Sequence, residues 1–223
     1  MNLESHNKPM RVFIFLHGAD KKTFLSLNPK IEEPIICADS GIQLALELPY
    51  KPKKLVLVGD LDSVSKKQRD WCKRNKYSIE QHPIEKDFTD GELALREACK
   101  QYPQKYSKVV LGGVSSLMDH TLGNILSTIP LVEKGHRISF FIPYQTMYVV
   151  KSSQKINNCK GHTISIIPIM KTKVMKTKGL QWKLEKETIV PYKSRTLRNK
   201  AIEKSIEIKI KEGLILIIES WGH

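Results

Sequence analysis

No apolar run in the 223-residue chain approaches the roughly 20 residues needed to span a bilayer. The longest clear runs are Val12 to Leu16 and Leu214 to Ile218, so no transmembrane helix is expected. The amino terminus also lacks a core of about 7–15 apolar residues followed by a small-residue cleavage site, so export is not expected and the cytoplasm is the expected compartment. The four cysteines, Cys37, Cys72, Cys99 and Cys159, form no C-x-x-C pair, and the seven histidines are not spaced with them as zinc ligands. They read as reduced and structural. Neither G-x-x-x-x-G-K-[ST] nor G-x-G-x-x-G occurs, which excludes a P-loop and the dinucleotide fingerprint.

Basic charge is abundant: 37 Lys or Arg against 23 Asp or Glu give a formal net charge of +14. The excess is uneven. From Tyr144 onward there are 16 Lys or Arg against 6 Glu and no Asp, whereas residues 1–143 carry 21 against 17. A basic chain suits phosphate-bearing small substrates, and no familiar nucleic-acid motif is present, so DNA or RNA binding is not expected.

The hydrophobic pattern changes at the same place. Up to residue 143, short apolar runs (Arg11 to His17, Ile35 to Ala38, Lys54 to Val58, Tyr77 to Gln81, Lys108 to Leu111, Arg137 to Ile142) alternate with amphipathic stretches. The clearest helical stretches are Gly41 to Leu48, Ser65 to Asn75, Asp90 to Tyr102 and His120 to Lys134. This alternation predicts an α/β domain over 1–143, a doubly wound parallel sheet with helices on both faces. Beyond it, short β-favouring runs separated by turn signals at Gly161, Lys178-Gly179 and Glu212-Gly213 predict an all-β sandwich over 144–223.

Six of the eight aspartates, Asp39, Asp60, Asp62, Asp87, Asp90 and Asp119, fall just after a predicted strand; Asp20 and Asp70 do not. In an open parallel sheet the ligand crevice lies at the carboxyl ends of the strands, so the six are expected on one rim. Crowded carboxylates persist most readily around a hard dication with oxygen ligands, for which Mg²⁺ with a polyphosphate is the usual case. In Gly59-Asp60-Leu61-Asp62-Ser63 an extended chain would point both carboxylates the same way. In Glu85 to Glu92, Thr89 and Glu92 have capping-box spacing, leaving Lys86, Asp87 and Asp90 unexplained by the cap. A helix start there also offers free N–H groups to phosphate. Gly112-Gly113 permits close backbone approach, Asp119 reads as an N-cap, and His120 as the first residue of its helix.

Together these segments resemble the thiamin pyrophosphokinase family. Ala38-Asp39-Ser40-Gly41 is similar to its A-D-G-G segment, Gly59 to Ser63 to its G-D-x-D-S, and Lys86 to Asp90 to its K-D-x-T-D. Gly112-Gly113 with Asp119-His120 resembles its glycine-rich D-H segment, and Gly179 to Trp182 its G-L-x-W. The likeness runs from about residue 36 to 200. It implies diphosphoryl transfer from ATP to thiamin with Mg²⁺ as cofactor, on a homodimer with active sites between subunits. It further implies Asp39, Asp60, Asp62 and Asp90 as catalytic carboxylates, with metal on Asp60, Asp62 and Asp90. Ser63, Lys86, Asp87, Thr89, Gly112, Gly113, Asp119 and His120 are implied on the ATP side. Thr196, Asn199 and Trp182 are the thiamin-side candidates, although size alone assigns Trp182 to the sandwich core. The chain departs from the family at Ser40, at Gln43, at Leu117 where arginine is common, and at Arg198 where serine is frequent. Other readings are a diphosphokinase acting on another hydroxymethyl heterocycle such as a pterin, and a non-catalytic thiamin-phosphate or nucleic-acid binder.

Overall fold

The computed structural model describes residues 10–85, 87–114 and 117–222. Six strands pair in parallel: β1 (Arg11–Phe15), β2 (Ile35–Ala38), β3 (Leu55–Gly59), β4 (Ser78–Gln81), β5 (Ser107–Leu111) and β6 (Arg137–Ile142), in the order β4-β3-β2-β1-β5-β6. Four of them start or end within two residues of the runs read from the sequence, and β2 and β6 coincide with theirs. The central strand explains why a parallel sheet reads as continuous hydrophobicity. Val12 and Ile14 of β1 enter one core, while Phe13 and Phe15 enter the other.

Helices cover both faces. On the Phe13 and Phe15 side lie α1 (Lys21–Ser26), α2 (Ile42–Glu47) and α3 (Lys66–Arg74), through Phe24, Ile42, Leu44, Ala45 and Cys72. Phe24 meets Phe13 and Phe15 edge-on at centroid distances of 4.9 and 5.0 Å. On the opposite side lie α4 (Asp90–Gln101), α5 (Met118–Leu126) and α6 (Ile129–Glu133), through Ala94, Leu95, Ala98, Ile125, Leu131 and Val132. The helix expected over His120 to Lys134 is therefore two. The break at Ser127–Thr128 precedes Pro130, whose missing N–H is tolerated in a first turn but not in a helix interior.

Beyond Ile142 the chain turns at Pro143–Tyr144 into β7 (Gln145–Val150), and pairing becomes antiparallel. β8 (Ser153–Asn157), β9 (Thr163–Pro168), β10 (Thr172–Lys178), β11 (Glu185–Ile189), β12 (Asn199–Lys200), β13 (Ser205–Glu212) and β14 (Ile215–Ser220) complete the chain. The α/β half and the antiparallel sandwich are both present, but they share one sheet. Ten strands run β12-β9-β14-β7-β6-β5-β1-β2-β3-β4, and a second sheet, β11-β10-β13-β8, packs on the antiparallel end. Between the two sheets lie Val150, Ile164, Ile166, Ile215 and Ile217 from one side and Ile156, Val174, Ile189, Ile206 and Ile208 from the other. No helix among the described residues is long and apolar enough to cross a membrane.

One buried cation ties the edge of the sheet where the parallel strands begin. Lys108 on β5 is fully buried, and its Nζ donates to the carbonyls of Tyr102 (2.7 Å), Pro103 (3.0 Å) and Tyr106 (3.1 Å). It also lies 2.9 Å from His136 Nδ1. An ammonium has no acceptor to offer, so this ring nitrogen must keep its lone pair. Burial first, then Lys108 and Lys134, hold the His136 pKa below its ordinary value of 6.5. Burial likewise lowers Lys108, with Cys99 opposing and Arg137 adding to the shift. Because the folded state disfavours imidazolium, His136's contribution is complete above 6.5 and is lost as pH falls through and below that value. Melting temperature should therefore fall between about pH 7 and pH 5. His136→Gln, which keeps an acceptor without a proton to gain, should flatten that fall. An unchanged slope in the variant would show that the pair plays no part.

Candidate active site

The carboxyl ends of β2 and β3 carry the aspartates. After β2 the chain tightens into a 3₁₀ turn, Asp39–Gly41, with Asp39 at φ +45°. Gly41 is required by contact: a Cβ there would lie 2.0 Å from the Phe15 carbonyl oxygen. After β3, Gly59 adopts φ +145°, and a Cβ on it would meet Asp90 Oδ1 at 2.9 Å and Asp39 Cβ at 3.3 Å. Absence of a side chain at Gly59 thus lets three acidic segments converge.

The segment after Gly59 is a turn, not the extended chain that the alternation argument assumed. Leu61 sits at φ +66° with its side chain buried, and the Asp62 N–H donates to Asp60 Oδ1 at 3.1 Å. Burying Leu61 rotates the backbone, and the Asx-type bond closes the turn. The result still gathers the acids. One carboxylate oxygen from each of Asp39, Asp60 and Asp62 lies within 4.8 Å of the others. Asp90, at the first position of α4, accepts the Asp60 N–H at 3.2 Å. Ser63 donates its hydroxyl to Asp39 Oδ2. Asp39 is buried, and its Oδ1 has no hydrogen-bond partner among the described residues.

Two like charges 4 Å apart near a protein surface repel by about 4 kcal/mol, less where solvent reaches them, as it does at Asp62. Burial first, then Asp90, Asp62 and Asp60, raise the Asp39 pKa to about 6. An orphaned buried carboxylate oxygen inside an all-oxygen cluster fits a hard divalent cation.

The other expected residues divide. Asp87 is exposed and has no described contact with the cluster. Thr89 caps α4 by accepting the Glu92 N–H at 3.2 Å, but Glu92 pairs with Arg96 at 2.8 Å instead of completing the box. Asp119 is not an N-cap: Leu117 holds that position, and Asp119 lies in the first turn of α5, accepting the His120 N–H at 2.9 Å. Both Asp119 and His120 are exposed. Lys86 lies outside the described residues. Gly112 and Gly113 do make a close approach, since a Cβ on Gly112 would lie 2.6 Å from His17 O and Ala19 N. Two residues were not anticipated. His17, at the end of β1, has Nδ1 3.0 Å from Ser40 Oγ. Asn124 of α5 donates to Gly113 O at 2.8 Å and lies against Gly91, where a Cβ would meet its Oδ1 at 2.7 Å. A polar residue closing an apolar strand run was the available signal for His17; Asn124 offered none, because its partners are distant in sequence.

The model for the thiamin pyrophosphokinase catalytic domain matches residues 30–140, and that for the thiamin pyrophosphokinase vitamin B1 binding domain matches residues 147–215. The chain belongs to the thiamin pyrophosphokinase family. Solved structures agree in fold. The thiamine pyrophosphokinase from Bacillus subtilis superposes with a TM-score of 0.79 at 21% identity, covering 96% of this chain and 100% of that one. A thiamin pyrophosphokinase family protein from Enterococcus faecalis gives 0.79 at 23%, with the same coverage. Yeast thiamin pyrophosphokinase gives 0.73 at 18%, covering 99% of this chain and 90% of that one. No curated protein sequence gives a significant match.

The thiamin-side candidates of this pyrophosphokinase family chain serve the backbone. Thr196 is buried, and its hydroxyl donates to the Ile166 carbonyl. Asn199 is buried and grips Trp182 at both backbone atoms, accepting its N–H at 3.1 Å and donating to its carbonyl at 2.6 Å. Trp182 itself is 58% exposed, so the core position predicted from size is incorrect. The loop is held while the indole projects outward.

The raised Asp39 pKa has a definite sign. A carboxyl that binds its proton more tightly when folded contributes most below its ordinary 3.8, and that contribution disappears as pH rises through about 6. Without divalent metal, Asp39→Asn should therefore melt higher than the parent above pH 6 and approach it toward pH 4. A variant destabilised equally at both ends would remove the repulsion from the account.

Proposed function

We propose that this protein transfers the terminal diphosphate of ATP to the hydroxyl of thiamin and releases AMP. The observation that carries the reading is the pair of family matches, catalytic then vitamin B1 binding, with the aspartate cluster inside the first. Asp39, Asp60 and Asp62 would hold Mg²⁺, with Asp90 beside them. When bound, the ion supplies charge neutralisation for the polyphosphate. The thiamin hydroxyl oxygen forms a bond to the β-phosphorus, the bond from that phosphorus to the AMP oxygen breaks, and the hydroxyl proton passes to a carboxylate. Asp39, whose pKa burial and its acidic neighbours raise to about 6, and Asp90 are the carboxylates we assign to take it. The N–H groups opening α4 and the backbone around Gly112 and Gly113 face the same rim and suit phosphate oxygens. The four free cysteines fit a reducing cytoplasm.

A homodimer is the assembly we infer from where the two sets of candidates lie. β14 ends at this same rim, with Ser220 opposite Gln145, and β12 lies there too, with Asn199 opposite Ile164. Yet β12 and β3 are eight positions apart in the ten-stranded sheet, roughly 38 Å at the usual strand spacing. Asn199 and Trp182 of one chain therefore cannot share a substrate with that chain's Asp60. We take the vitamin-binding edge of a second copy to complete each site, with the division between halves at residues 143/144.

Purified protein with thiamin, ATP and Mg²⁺ should form equimolar AMP and thiamin diphosphate, and Asp62→Asn should abolish both while melting normally. Mixing Asp62→Asn with Trp182→Ala, each inactive as a homodimer, should restore up to about a quarter of parental activity after subunit exchange, since half the dimers then carry one intact site. No recovery in freely exchanging subunits would place both residue sets in one chain's site.

A further inference from the structure

At the opposite edge of the ten-stranded sheet from the aspartates lies a cavity of about 450 Å³, within the roughly 300–1,000 Å³ usual for small-molecule sites. It is bounded by the turn between α6 and β6, the starts of β5 and β6, the end of β7, and the hairpin entering β8. Its charge is one-sided. Arg137, Lys151 and Lys155 line it, and none of its described lining residues is Asp or Glu. Arg137 donates to the Lys105 carbonyl at 3.1 Å, and Lys151 to the Glu133 carbonyl at 3.4 Å. None of the three cations has a carboxylate partner among the described residues. The acid opposite Lys155 across the strand pair, Glu207, is already held by Lys209 at 3.3 Å and Lys178 at 3.8 Å. Hydroxyls of Ser107, Ser139 and Ser153 complete a donor-rich lining.

We propose that this cavity is a second anion site, which takes a small molecule bearing a diphosphate. Three cations without a carboxylate partner among the described residues favour an anion of comparable charge over a monocarboxylate. Arg137 adds a planar fork suited to phosphate oxygens, and the serine hydroxyls suit the remaining lone pairs. The size of the cavity favours a compact ligand. The proposal does not depend on thiamin turnover, because binding is read without catalysis.

The test is calorimetric titration of the full-length protein with sodium pyrophosphate, free of divalent metal, with inorganic phosphate and thiamin diphosphate as parallel arms. Parent protein and Asp62→Asn should bind pyrophosphate saturably and alike. Arg137→Gln/Lys151→Gln/Lys155→Gln should bind about tenfold more weakly or worse, while its melt and turnover stay near parental. Exposed Lys151→Gln alone should give a smaller loss in the same direction, which guards against misfolding of the triple variant. Thiamin diphosphate that binds more tightly than pyrophosphate and loses that affinity in the triple variant identifies an ester as the natural ligand; the reverse order, with the same sensitivity, identifies the free anion. Weak titrations equal in all variants, or a loss confined to Asp62→Asn, overturn the proposal.

Discussion

The hairpin that pairs Ile142 with Gln145 and Phe140 with Met147 fuses a parallel sheet to an antiparallel one. The long-range geometry of the molecule depends on that join. A parallel sheet ends its strands in one direction, so the loops after β1, β2, β3 and β5 rise from a single edge. The antiparallel strands return to the same edge only where a strand finishes or a hairpin turns, which is how Asn199 and Trp221 come to lie along it. Without pairing between β6 and β7, the two halves would be beads on a string, and the spacing between the acidic cluster and the Trp182 loop would be variable. With it, that spacing is fixed.

Charge is distributed to match. Every aspartate lies before residue 120, and the cluster of four occupies the carboxyl ends of β2 and β3 with its neighbour α4. The lysine excess beyond Tyr144 leaves the opposite edge of the sheet basic around Arg137, Lys151 and Lys155. Each accumulation is unfavourable by itself and favourable with a counter-charge, so both edges are arranged for ligands of opposite sign. Lys108 behaves differently. Its ammonium is satisfied by three carbonyls and an imidazole, so it needs no external anion and acts as a fastening between loops.

Element type was legible where periodicity is strong. β1 and β5 show nearly unbroken apolar runs because both faces are buried, and α3 is capped by Ser65 with both halves of its capping box formed. β8 and β10 carry a weak signal, since Ser153–Asn157 and Thr172–Lys178 bury only alternate or isolated residues and contain lysine. The acidic motif was legible by composition, but its conformation was not. Alternation along an extended chain aimed Asp60 and Asp62 correctly for the wrong reason, because burial of Leu61 at positive φ is a tertiary effect. Trp182 shows the same limit. Size predicts burial, whereas Asn199 holds the backbone of this loop and leaves the ring outside.

Asp39 and Leu61 are the two non-glycine residues at positive φ that flank the converging carboxylates, and such conformations cost on the order of 1–3 kcal/mol each. What sustains them is close packing on either side. Gly41 lets the 3₁₀ turn press on the Phe15 carbonyl, Gly59 admits Asp90 and Asp39 from two directions, and buried Leu61 anchors the turn between two acids. A relaxed backbone at either position would swing a carboxylate outward and lower the electrostatic cost of the empty cluster. The fold instead keeps the strain and the repulsion together at one place. An incoming cation then finds its oxygens already gathered, and the reorganisation that binding would otherwise demand has been supplied in advance by hydrophobic packing below the rim.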